Sequence, residues 1–197
     1  LSKQHLGPAL LIPLGLGWLL ANSAHALQRP VDPVAVCVVA PRVEPVTEGD
    51  AIGLVPTPMP LLVVVDPLLE LRIERQGLLA WQQLAPPGRP FRAPLVWPLA
   101  PIAPGEVVVL RLRPEQAAEG SFAQVQLVGA DAERMARTAA LIHSLGQRPP
   151  AWLAAIETAL AAGDVSLAWA LLFEPQLPDA ADLVALRNEV VRRGCGD

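Results

Sequence analysis

The sequence predicts an α+β protein: an immunoglobulin-like antiparallel β-sandwich followed by a C-terminal helical appendage of two helical hairpins. Three observations carry that expectation. The hydrophobic period is two through the middle of the chain and becomes 3.6 at Asp131. Before that point, turn residues separate about seven short strand-like runs. Beyond it, four segments each open at an aspartate or a proline pair and close at glycine or before proline. The expected organisation is a signal peptide over residues 1–26, a proline-rich sandwich over 27–129 and a helical domain over 130–197.

The first segment has the grammar of export. Lys3, the only lysine of the chain, precedes an apolar run from Ala9 to Leu20, and Ala24-His25-Ala26 supplies a small-x-small cleavage site. Pro13 interrupts the run, which is short for a membrane-crossing helix. Cleavage after Ala26 is expected, with an uncleaved anchor as the alternative. Leu61 to Val65 is too short and too closely bounded by Pro60 and Pro67 to span a bilayer, so no membrane span is expected after signal removal.

Residues 27–60 hold seven prolines around one strand-like run, Val34 to Val39, and are expected to form edge strand and extended loop. Leu61 to Val65 has the continuous aliphatic character of a buried strand. Leu69, Leu71 and Ile73 alternate with Glu70, Arg72 and Glu74, and Leu78 to Leu84 pairs with them through a turn at Gln76-Gly77. Residues 86–104 hold seven prolines and predict a long crossing connection. After the turn at Pro104-Gly105, Val108, Leu110 and Leu112 share a face, and Val125 and Leu127 close the series.

The helices follow. Asp131 caps the first, with Met135, Ala139 and Ile142 on one face and Gly146 at its end. Pro149-Pro150 opens the second, with Trp152, Ile156 and Leu160, and Gly163 stops it. Asp164 caps a third that ends before Pro175, and Asp179 caps a fourth that ends at Gly194. The stretch from Ala159 through Gly163-Asp164 to Leu172 has the look of a tetratricopeptide-type turn. A lone unit of that kind cannot form an array, so packing of the helices on each other and on the sandwich is expected.

The order of signal peptide, proline-rich sandwich and helical hairpins resembles a cyanobacterial secreted family catalogued as domain of unknown function nine-two-eight. The likeness rests on Leu99 to Arg113, with Pro104-Gly105 leading into a strand, on the loop Pro114 to Ser121, and on Ala151 to Pro175. The family has an aromatic pair after the turn where this chain has Val108 and Leu110. It often ends the strand on cysteine where this chain has Arg113-Pro114. The resemblance implies an extracytoplasmic protein and transfers no site.

Composition then excludes chemistry. With 52% hydrophobic and 17% charged residues the chain is no disordered polymer, and a net charge of −4 offers no footprint for nucleic acid. His143 is the sole histidine beyond the signal segment, and Ser144 beside it points about 100° away on a helix, so the two form no nucleophilic pair. No Gly-x-Ser-x-Gly elbow, phosphate-binding glycine loop or metal-ligand cluster is present. Glu70 and Glu74 are the nearest thing to a carboxylate pair. On a strand they stand about 13 Å apart, against roughly 6.5–9.5 Å for an inverting glycosidase, with Arg72 between them to neutralise both. Asp179 and Asp182 suit a helix start rather than a calcium loop. No catalytic residue, cofactor or metal is therefore expected.

Two sets of residues are singled out. Trp81 and Trp97, set among proline-rich connections, are candidate ligand-stacking platforms if their indoles are open. Cys37 and Cys195 are an even pair in an exported chain and are candidates for a disulfide. The expected role is a non-enzymatic, extracytoplasmic binding or scaffolding module for a protein or cell-envelope partner. The alternative is an envelope glycan-binding protein or a carboxylate-dependent glycan hydrolase.

Overall fold

Alternation of apolar and polar residues along two neighbouring segments sets the centre of the fold. In the computed structural model, which describes residues 34–47, 49–92 and 94–194, these segments are strands β7 (Val107–Pro114) and β8 (Ala123–Gly129). They pair antiparallel, and every second residue of each is buried. Before them run β1 (Val38–Ala40), β2 (Glu44–Thr47), β3 (Asp50–Val55), β4 (Val63–Val64), β5 (Leu68–Arg75) and β6 (Leu78–Leu84). After them come α1 (Ala132–Leu145), α2 (Pro149–Ala161), α3 (Val165–Leu172) and α4 (Ala181–Arg193). The class is α+β, a β-sheet region followed by four helices. Residues 1–26, with Ala24 and Ala26, and Cys195 lie outside the described residues.

Six strands form one sheet in the order β2-β3-β8-β7-β5-β6, and β1 with β4 forms a two-stranded ladder. The all-antiparallel expectation is corrected at one pairing: β3 runs parallel to β8, so the larger sheet is mixed. A parallel pair needs a long crossover, and residues 56–122 supply it by building β4 to β7 before the chain returns. The region 27–60 also holds more structure than its prolines suggested. β2 and β3 form a hairpin around Gly49 (φ 83), and β3 is an interior strand. Pro45 stands on the outermost strand, β2, the place in a sheet where proline is best tolerated.

The predicted β5–β6 hairpin is present, turning at Gln76 (φ 52) and Gly77 (φ 76). Its register contains a correction. A bulge between Leu68 and Glu70 swings Leu68, rather than Leu69, into the core beside Leu71 and Ile73. Leu68, Val108, Leu110, Leu112 and Leu127 are each fully buried, and each such side chain contributes about 1.5–3 kcal/mol relative to exposure.

The β1–β4 ladder lies between two hydrophobic clusters. Val38 and Val64 belong to the core of the large sheet, whereas Val39, Ala40 and Val63 belong to the core of the helices. Val38 and Val39, like Val63 and Val64, face opposite sides as strand geometry requires, and the register shift between Val38 and Ala40 puts Ala40 on the same side as Val39. The proline-rich connection is clipped over the sheet core by paired backbone bonds, Leu62 with Leu95 (3.0 and 2.8 Å) and Leu68 with Phe91 (2.9 and 3.0 Å).

Helix starts mostly follow their caps. The Asp131 carboxylate accepts from the Arg134 N–H at 2.7 Å, and that of Asp164 from the Leu167 N–H at 3.0 Å. Asp179 does not cap α4; the N-cap is Ala180, without a side-chain bond, and Asp182 supplies the negative charge of the first turn. Two helix faces are also rotated from expectation. α1 buries Met135, Thr138 and Leu145 and leaves Ala139 exposed, while α2 buries Ala159 and leaves Leu160 exposed.

Candidate functional site

The outer face of the sheet gathers the strand charges. Glu70 is 5% exposed, and its Oε1 accepts from Arg72 Nε and from Gln82 Nε2, each at 2.6 Å; Arg113 Nε lies 3.4 Å from Oε2. Glu74 pairs across strands with Arg111 Nε at 2.7 Å. The pairing differs from the sequence reading in one respect. Arg72 serves Glu70 alone, and its guanidinium also lies 4.6 Å from the Phe122 ring centre. Carboxylates held in this way have their oxygens engaged by neighbouring side chains rather than turned toward an open site.

Trp97 is 6% exposed, with its indole N–H donating to the Ala100 carbonyl at 3.1 Å. Trp81 is half-buried against the sheet core, and both indoles line one narrow crevice with Leu71 and Ile73. An indole so covered gives a sugar ring little face to stack on.

β6 is the edge of the six-stranded sheet, and its sequence, Leu-Leu-Ala-Trp-Gln-Gln-Leu, carries neither charge nor proline. Leu78, Leu79 and Leu84 are 72%, 55% and 60% exposed. Because the Ala85 N–H bonds inward to the Leu69 carbonyl, the alternating Leu84 N–H faces away from β5. The opposite edge is unlike it, for β2 carries Glu44 and Pro45. Edges are commonly blunted by charge or proline, and β6 has neither.

A cleft of about 440 Å³ opens between the segment after β3, the connection after β6, α1 and the turn after α3. Met59, Trp97 and Ile142 give it apolar walls, while Thr57, His143 and Glu174 bring polar groups into it. His143 is exposed on the solvent side of α1, and Glu174 follows the C-cap of α3. Burial pushes the Glu174 carboxyl above the usual carboxylate range, against a smaller downward pull from the Gln176 backbone N–H. Sequence reasoning passed over Thr57, Met59 and Glu174. Their only signal was an isolated acid directly after an apolar helix, and a proline run that looked like plain linker.

Cys37 sits where β1 begins, half-buried, with its N–H donating to Asp66 Oδ2 at 2.7 Å. The end of α4 comes to the same strand: a Cβ on Gly194 would stand 3.1 Å from Val39 Cγ2. Among the described residues no three His, Cys, Asp or Glu side chains gather as a metal site, and no helix is long and apolar enough to cross a membrane. No family model, curated protein or solved structure matches the chain.

Proposed function

We propose that this chain is an extracytoplasmic, non-enzymatic binding module that takes an extended segment of a protein partner along the β6 edge. The β6 edge is the observation that carries the reading: an uncharged, proline-free strand with exposed leucines and outward-facing backbone donors. Strand addition draws its affinity from backbone bonds and its selectivity from alternate side chains. The ion-paired state of Glu70 and Glu74 and the burial of Trp97 weigh against the glycan hydrolase and glycan-binding alternatives.

In this reading the sheet region is a reduced immunoglobulin-like sandwich. The order β8-β7-β5-β6, with hairpins β7–β8 and β5–β6, matches the G-F-C-C′ sheet of variable-type domains, and the β1–β4 ladder stands in the place of a second sheet. A Cys37–Cys195 disulfide belongs to the same proposal, supported by the approach of Gly194 to β1.

The test is capture from the envelope fraction by the wild-type protein and by a Leu79→Lys, Leu84→Lys variant. Both leucines are exposed, so the fold is kept. A partner held by the wild type and lost from the variant supports the proposal. A partner held equally by both, or retention of purified envelope glycan instead, overturns it.

A further inference from the structure

The cleft beside α1 is separate from the β6 edge and has its own chemistry. Its walls are Met59, Trp97 and Ile142, with Pro58 and Pro175 at its margins. Thr57, 8% exposed, also lines it. A hydroxyl on such a wall can donate to or accept from a polar group on whatever fills the space.

Charge selects that group. Glu174 is the one carboxylate lining the cleft, and no arginine lines it. Arg187, on α4, is directed elsewhere, donating to the backbone carbonyls of Leu172 at 3.0 Å and Glu174 at 3.5 Å. The carboxylate thus meets the cleft half-buried, without an ion pair among the described residues. A cationic head on a ligand would restore what desolvation removes from Glu174, whereas an anionic head would add repulsion in a site of low polarity. The volume falls within the ordinary range for small-molecule sites, roughly 300–1,000 Å³, and the ratio of apolar wall to polar groups is of the same kind.

We infer that this cleft binds a small amphiphile with an apolar body and a protonated amine head, the body against Met59, Trp97 and Ile142 and the head against Glu174 and Thr57. His143 stands at the rim on α1, where its ring nitrogens can hydrogen-bond.

Isothermal titration calorimetry with octylammonium, octanoate and octanol tests the inference on the whole protein. Octylammonium is expected to bind, octanol more weakly and octanoate weakest. Glu174→Gln is expected to weaken octylammonium about tenfold and to leave octanol unchanged, as loss of a charge-assisted contact requires. Ala139→Arg, at an exposed helix position on the cleft wall, is expected to abolish octylammonium binding without unfolding the protein. Octanoate binding as tightly as octylammonium would overturn the inference. So would octylammonium affinity unmoved by both substitutions, or no octylammonium binding up to about 1 mM.

Discussion

Glu174 is a side chain whose surroundings act against its charge. Burial raises its carboxyl pKa in the folded protein above the unfolded value, so between the two values the native state binds more protons than the unfolded chain. The stability owed to this group therefore falls as pH rises through that interval. Glu174→Gln is expected to raise the urea midpoint at pH 7, with the gain fading as the pH falls through that interval and gone below it; a lower midpoint at pH 7 would refute it. The same substitution is expected to weaken amine binding, so the two measurements separate a structural effect from a ligand effect. Gly53 is a second residue with no freedom. A Cβ there would stand 2.6 Å from the Arg42 carbonyl oxygen and 2.9 Å from Val43 Cγ1, so Gly53→Ala is expected to cost about 1–3 kcal/mol in chemical denaturation.

At the level of elements, the turn between α2 and α3 combines two devices. Gly163 has φ 73, and Asp164 both caps α3 and bonds Arg134 of α1 at 2.6 Å. Nothing stands within 4 Å of where a Gly163 Cβ would be, so backbone conformation rather than crowding opposes substitution. Gly163→Val is expected to destabilise by about 1 kcal/mol or more, measured by thermal unfolding. This turn was legible in the sequence because glycine and aspartate act locally, as were β6, β7, β8 and the starts of α1 to α3. Other elements depend on distant partners. β3 is held by its parallel neighbour β8, and Leu68 is turned inward by a bulge that no pattern of seven residues announces. The cleft was illegible for the same reason: Thr57, His143 and Glu174 are far apart in the chain and meet only when the helices fold back.

For the whole molecule, the proposed Cys37–Cys195 bridge would tie the chain's two distant ends at β1. Closing so long a loop gives an upper bound of roughly 5 kcal/mol in the chain-entropy model. Mass spectrometry of exported protein under non-reducing conditions is expected to show an intramolecular disulfide and a chain beginning at Leu27. Two free thiols, or a disulfide-linked dimer, would exclude the bridge, and a retained Lys3 would exclude cleavage.

The β1–β4 ladder has a further consequence. Its residues serve two cores at once, so removing the helices would expose Val39, Ala40 and Val63 to water, and removing the sheet would strip the partners of Val38 and Val64. Neither core can melt without uncovering one face of the same short ladder. The heat-absorption profile of the protein should accordingly contain a single peak, with calorimetric and van't Hoff enthalpies equal. Sheet and helices then form one cooperative folding unit, joined through five small side chains on two strands.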